Sequence, residues 1–325
     1  MARSAVARPS KRSRQMYRRS FVVIDGRLWI PAVDYAAGRS TVITEKMSLS
    51  DPGSSWDGPA RLASNTGTPT YESRINVNPF KVQLNLHGNL DFFVRSEARG
   101  RRIKRSLGEK TSVKDVIEAC GVPHPEIDLI LVNGQPVDFD YAIASDADIE
   151  IHSVGTGSTL FKNKRLQIST DRAFIIDGHL GGLARNLRLL GFDVAYDPNA
   201  EDRQLLCTMK RENRALLTRD RRLLMHAVVR TGYCPRSQNA DEQTVEVIRR
   251  FDLLGSLAPF TRCVRCNAPL RMASKTEILE KLESLTKIYY EQFRRCTGCG
   301  QIYWPGSHFS KLQKRIEQIL LNSSR

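Results

Sequence analysis

Between residues 173 and 258 the apolar and polar positions repeat in a regular order. Ala173-Phe-Ile-Ile176 is a short apolar run that stops on Asp177-Gly178, the pattern of a buried strand ending in a turn. Leu180, Leu183, Ala184, Leu187 and Leu190 then recur at helical spacing, and Gly191 stands where a helix C-cap is expected. The spacing predicts a second strand over 192–196, a helix over 202–213, a third strand over 215–218 and a helix over 241–251. Strand and helix alternating with short connections predicts an α/β fold, a parallel sheet with helices on its faces. Ligands of such sheets bind outside the carboxyl ends of the strands. Asp177 and Asp220 both lie there.

The pattern changes on either side. Val82, Leu84 and Leu86 alternate, and Phe92-Phe-Val94 follows after His87-Gly-Asn, which predicts a hairpin. Thr111 to Gly121 carries cap residues and an apolar stripe at 113, 116, 117 and 120, as a short helix does. Leu129-Ile-Leu-Val132, Asn133-Gly134 and Gln135-Pro-Val137 form a second hairpin with a strong turn signal. Asp148 to His152 reads as a closing strand. This ββαββ order over 79–154 predicts a ubiquitin-like β-grasp (α+β) module. It runs on through Val154-Gly-Thr-Gly157, so a packing or interaction role suits it better than that of a carrier with a free C-terminus. Residues 155–172 read as a polar, basic linker. Downstream, 259–325 combines paired cysteines, a helix inserted over 276–285 and an amphipathic helix over 308–321.

Residues 1–78 read as a basic, largely disordered leader. No acid precedes Asp25. Arg18-Arg-Ser-Phe-Val has the start of a twin-arginine signal, but Asp25 and Arg27 interrupt the apolar stretch that must follow. A disordered arm and an organelle transit peptide both fit such a composition. From Ala36 to Asn78 Ser, Thr, Gly, Pro and Asn dominate, which predicts flexibility, and Met47 is an alternative start.

Composition adds a partner class. The 325 residues carry a net charge of +15, and residues 160–325 hold 29 Lys and Arg against 17 Asp and Glu. That surplus suits a polyanion such as RNA as well as a solvated basic surface. No apolar run approaches the roughly 18 residues that cross a bilayer, so no membrane partner and a cytoplasmic location are expected.

Four of the seven cysteines form Cys263-Val-Arg-Cys266 and Cys296-Thr-Gly-Cys299. Two Cys-x-x-Cys turns present four sulfurs to one point, the donor set of a structural Zn²⁺ with no open coordination position. Cys120, Cys207 and Cys234 follow no such pattern. Asp177, Asp202 and Asp220 are expected at one sheet edge, where three carboxylates repel one another unless a cation such as Mg²⁺ or Mn²⁺ holds them. Asp241 is a candidate fourth acid; Asp at a helix start is equally an ordinary cap. Glu201 is a weaker one, and His179 reads as structural. Arg185, Arg188, Arg219, Arg221 and Arg222 are candidate phosphate contacts.

With those motifs in hand, the chain resembles a known family. Asp177-Gly-His-Leu-Gly-Gly-Leu-Ala-Arg-Asn-Leu-Arg-Leu-Leu-Gly-Phe-Asp193, Leu217-Thr-Arg-Asp220, Cys263-Val-Arg-Cys-Asn-Ala-Pro-Leu270 and Cys296-Thr-Gly-Cys-Gly-Gln-Ile-Tyr-Trp-Pro-Gly-Ser-His308 are similar to the Mut-seven C-terminal RNase family. The resemblance covers roughly 80–325. It implies a PIN-like nuclease domain over 173–258, a zinc ribbon over 259–325 and an upstream ubiquitin-like module. It places the catalytic acids at Asp177, Asp202 and Asp220. Asn186 departs from the family, which usually has an aromatic there. The implied activity is metal-dependent hydrolysis of RNA, leaving a 5′-phosphate and a 3′-hydroxyl. Two readings stand beside it: a non-catalytic RNA-binding or ribosome-associated zinc-ribbon protein, and an adaptor whose β-grasp module recruits a protein partner.

Overall fold

The computed structural model describes residues 22–24, 27–29, 79–154, 159–167 and 173–324. The chain divides into two units, 1–75 and 76–325. In the first, β1 (Val22–Ile24) and β2 (Arg27–Trp29) pair antiparallel. The expected basic arm, the stretch from Ala36 to Asn78 and most of the linker lie outside the described residues.

The second unit opens with the β-grasp module. Its sheet has the order β4-β3-β9-β6-β7, made of β3 (Phe80–His87), β4 (Ile103–Leu107), β6 (Ile127–Val132), β7 (Gln135–Val137) and β9 (Ala147–Ser153). A side ladder joins β5 (Thr111–Ser112) to β8 (Ala142–Ile143). The first and last long strands, β3 and β9, run parallel at the centre, and α1 (Val113–Glu118) buries Val113, Val116 and Ile117. Asn133 and Gly134 turn between β6 and β7 with φ of 49° and 78°, the left-handed pair that a two-residue hairpin needs.

The expected hairpin arm at 92–94 is instead a 3₁₀ turn (Leu90–Phe92) and its exit, and β4 is the real partner of β3. Ile103-Lys-Arg-Ser-Leu107 sits on the exposed edge of the sheet. It carries too few apolar positions to show alternation, whereas Phe93 and Val94 are apolar because they are buried beneath that edge.

The α/β domain follows the predicted order. Its sheet is β11-β10-β12-β13, all parallel, from β10 (Ala173–Ile176), β11 (Asp193–Tyr196), β12 (Ala215–Leu217) and β13 (Gly232–Tyr233). Successive residues alternate between its two faces. Phe174, Ile176, Ala215 and Leu217 join a cluster with α2 (Gly181–Leu189), α5 (Ala240–Arg250) and Ile316 and Ile319 of α8 (Phe309–Ser323). Ile175 and Leu216 point the other way, to Leu205 and Met209 of α3 (Asp202–Glu212), in a cluster continuous with the β-grasp core. Crossovers on opposite faces make the sheet doubly wound, with its switch point between β10 and β12. Gly191 ends α2 at φ 96°, and a Cβ there would stand 2.2 Å from the Ala258 carbonyl oxygen, so only glycine fits.

The cysteine region adds an antiparallel sheet of β14 (Leu270–Ala273), β15 (Phe293–Cys296) and β16 (Ile302–Tyr303). The inserted helix is broken into α6 (Lys275–Ile278), a 3₁₀ turn (Leu279–Lys281) and α7 (Ser284–Tyr289). The C-terminal helix α8 packs on the α/β core rather than on the ribbon.

The β-grasp module is docked on the α/β domain through polar groups as well as apolar ones. The buried Glu126 carboxylate accepts from Arg236 Nη1 and Nη2 at 2.8 and 2.9 Å and from the Cys234 amide at 2.7 Å. His124 Nε2 donates to the Val229 carbonyl at 2.6 Å. Arg221 reaches the Phe93 carbonyl at 2.7 Å, and the Arg221 and Arg236 guanidinium groups lie over the Phe92 and Phe93 rings.

Candidate functional site

Asp177 follows the last residue of β10, and Ile176 stands in register with Leu217 of β12. Thr218 comes next on β12 and is therefore delivered beside Asp177. Its buried hydroxyl donates to Asp177 Oδ2 at 2.7 Å and accepts from the Asp220 amide at 2.9 Å. Asp220 in turn caps α4 (Arg221–Leu224), its Oδ1 accepting from the Arg222 and Leu223 amides at 2.7 and 3.2 Å. The two acids are thus tied together through one threonine at the switch point of the sheet, with Asp177 Oδ1 and Asp220 Oδ2 left without a hydrogen-bond partner among the described residues. Sequence reasoning missed Thr218. Its signal, a hydroxyl residue ending a strand beside an aspartate-ended one, becomes readable only once the register is known.

Asp202 is the first residue of α3, exposed, with Glu201 as the cap. The loop leading to it crosses the site: a Cβ on Gly178 would lie 2.6 Å from the Pro198 carbonyl oxygen. The Tyr196 hydroxyl donates to the Gly178 carbonyl at 2.9 Å and pins that crossing. Asp177, Asp202 and Asp220 nevertheless do not bring three oxygens within 4.8 Å of one another. The structure joins Asp177 to Asp220 and leaves Asp202 on the rim.

The four cysteines do converge. Sγ atoms of Cys263, Cys266, Cys296 and Cys299 all lie within 4.8 Å of one another, with Cys263 to Cys299 at 3.7 Å and Cys266 to Cys296 at 3.3 Å. A tetrahedral zinc with bonds of about 2.3 Å would hold sulfurs about 3.8 Å apart, so the set fits that ion and could bind it. The Gly298 and Cys299 amides donate to Cys296 Sγ, and the Tyr303 hydroxyl lies 3.0 Å from Cys263 Sγ. At Cys263 burial opposes the thiolate, but the Tyr303 hydroxyl and nearby backbone amides outweigh it and hold that thiol below its ordinary range. Arg188 is buried against the same loop: it donates to the carbonyls of Val264 and Arg265 at 3.2 and 3.0 Å and to that of Val194. Asn267 extends the weld, accepting from the Val194 amide and donating to Asp193.

Comparison with known proteins bears on this arrangement directly. Residues 172–316 match the family model of the Mut7-C RNAse domain, and residues 80–154 match that of Mut7-C ubiquitin. The chain carries a Mut7-C RNAse domain behind a Mut7-C ubiquitin domain. No curated protein and no solved structure matches it. The family gives the chain a nuclease-like role.

Within the Mut7-C RNAse domain two sequence expectations change. Asp241 is not an open ligand: Arg315 of α8 grips both its oxygens, with three contacts of 2.5 to 2.9 Å, and Asn186 donates to it at 2.9 Å. The Arg315 hydrogen bonds hold its carboxyl below the usual range, against a smaller opposing effect of burial. Asn186 also reaches the Ala240 carbonyl and the Thr244 hydroxyl, so its buried amide nitrogen is satisfied. Arg188 is not a phosphate contact, because burial and three carbonyls consume its guanidinium. The other arginines differ in kind. Arg221 is spent on the ubiquitin domain, and Arg219 bonds Gln238. Arg185 and Arg222 stay exposed. His179 is exposed on the 3₁₀ turn after Asp177.

No helix among the described residues is long and apolar enough to cross a membrane.

Proposed function

We propose that the chain is a metal-dependent ribonuclease that hydrolyses RNA phosphodiesters at the Asp177–Asp220 edge. The observation that carries this reading is the Thr218 bridge between two acids at the switch point of a parallel sheet. Asp177 Oδ1 and Asp220 Oδ2 are hard donors with no hydrogen-bond partner among the described residues, which suits Mg²⁺ or Mn²⁺. Asp202 is the third acid of the proposal, the exposed first residue of the helix that follows the loop packed on Gly178. A bound ion of this type supplies positive charge beside the phosphate and raises the acidity of water.

The chain's own residues set the rest. Thr218 fixes the rotamer of Asp177, and the α4 amides fix that of Asp220. Arg185 and Arg222 offer positive charge to neighbouring phosphates. The cysteine quartet is proposed to hold a structural zinc, since four thiolates leave no position for substrate. RNA held through the basic surface should dissociate steeply with added salt.

The test is labelled single-stranded RNA incubated with zinc-loaded wild type and Asp177→Asn, with and without Mn²⁺. Cleavage by wild type with Mn²⁺, lost in the variant while RNA affinity is kept, is the expected result. Binding without cleavage by the wild type would favour a non-catalytic RNA-binding protein, and equal cleavage by the variant would remove Asp177 from the mechanism.

A further inference from the structure

The ubiquitin domain carries a second set of convergent ligands, far in sequence from the acids and the cysteines. His87 on β3 and His152 on β9 are in-register neighbours on parallel strands, and Asn85 and Glu150 are the pair before them. Side chains two apart on a strand share a face, so the four form a two-by-two block on the side of the sheet opposite Leu84, Leu86, Ile149 and Ile151. The two imidazoles stack with centroids 4.2 Å apart and planes 5° from parallel. Glu150 Oε2 lies 3.4 Å from His87 Nε2 and 3.7 Å from His152 Nε2. One ligand atom from each of His87, Glu150 and His152 falls within 4.8 Å of the others.

A second observation points to a missing partner. His152 Nε2 is buried and, among the described residues, has no acceptor or donor at hydrogen-bond distance, Glu150 Oε2 standing 3.7 Å away, although buried polar atoms are paired in the large majority of cases. Arg165, whose charge acts on His152, is itself paired with Asp128 at 3.1 Å. His87 and Glu150 are partly open to solvent, with side chains 35% and 45% exposed, which leaves an entry path.

We propose that His87, His152 and Glu150 form a binding site for a divalent transition-metal cation of the zinc class. Two imidazoles and one carboxylate are a recurrent set for such ions, and tetrahedral bonds of about 2.0–2.1 Å separate ligand atoms by roughly 3.4 Å. The two Glu150 distances are 3.4 and 3.7 Å, one at that value and one slightly above it. Both Nε2 atoms of the stacked rings stand within 3.7 Å of Glu150 Oε2. Asn85, whose amide nitrogen lies 3.2 Å from His87 Nε2, offers its oxygen as a fourth donor when the amide turns end over end.

The site is tested on the full chain with its cysteine quartet already loaded. Wild type titrated calorimetrically with Zn²⁺ should take up one further equivalent. His87→Gln, His152→Gln and Glu150→Gln should each weaken that equivalent at least about tenfold, the range known for disturbed metal shells. A wild type that takes up no further zinc, or folded variants that bind it unchanged, would overturn the site. Zinc-edge X-ray absorption of the doubly loaded wild type needs no variant: nitrogen and oxygen scatterers beside sulfur are expected, and sulfur alone would also overturn it.

Discussion

At the scale of single residues, Thr218 has the most to say. A hydroxyl that donates to one acid while accepting from the backbone of another fixes their mutual orientation without touching substrate. Thr218→Val keeps the shape and removes both hydrogen bonds, so RNA cleavage should fall about 10–100-fold, as it does when an orienting partner of a metal ligand is lost. A single-turnover assay with a matched melting curve separates this from unfolding. Asp193 supplies a second test. Burial pushes its carboxyl up, but hydrogen bonds from Arg214 and Asn267 and the charges of Arg214 and Arg262 outweigh burial and hold it low. A carboxylate whose folded pKa is depressed stabilises fully above its unfolded value, about 3.9, and loses that contribution as pH falls through the lower folded value. Melting temperatures of wild type and Asp193→Asn should therefore differ at pH 7 and converge towards pH 3; a gap independent of pH would discount the pairing. The acids at 177 and 220 were legible in the sequence because each ends an apolar run. Thr218 was not, since only strand register places it beside Asp177. Arg188 misled for a related reason. It stands four residues after Ala184, on the border of the helix's apolar stripe, and that position rather than its charge forecasts its burial.

At the scale of elements, strands and helices of the α/β domain appeared where periodicity put them, because each has one face fully committed to a core. The elements that escaped the sequence are those whose pattern is set by neighbours: β4 on an exposed edge, β13 of two residues, and α4, which exists because Asp220 caps it. The docking of the ubiquitin domain was equally hidden, since it depends on Glu126 meeting Arg236 more than a hundred residues away. A buried ion pair adds little net stability, yet removing one partner strands the other charge. Glu126→Ala should accordingly cost about 3–5 kcal/mol, read from urea unfolding. A loss below 1 kcal/mol would mean that the interface relaxes around Arg236.

At the scale of the whole second unit, the cysteine centre is fastened to the sheet edge through Arg188, Asn267 and Asp193, and the sheet is fastened to the ubiquitin domain through Arg221 and Arg236. Metal removal is then expected to reach beyond the ribbon. Removing with a chelator any metal that the quartet binds should lower the melting of residues 76–325 as one cooperative transition. An early, separate transition confined to the ribbon, with the rest melting unchanged, would show the weld to be weak. The same connectivity lets the ubiquitin domain act on the acids at a distance: Arg221 is the first residue of the helix that Asp220 caps, so its grip on Phe93 also holds that helix start.

The late position of α8 has a consequence for synthesis. Ile316 and Ile319 share an apolar cluster with α5, on which α8 packs and which is translated much earlier. Until the turns of α8 leave the ribosome, the α5 surface on which they pack stays bare, and a bare apolar face invites association with other chains. Nascent protein stopped short of Arg315 would then need a chaperone's shelter, and a prematurely terminated product would accumulate as aggregate rather than as a smaller folded protein.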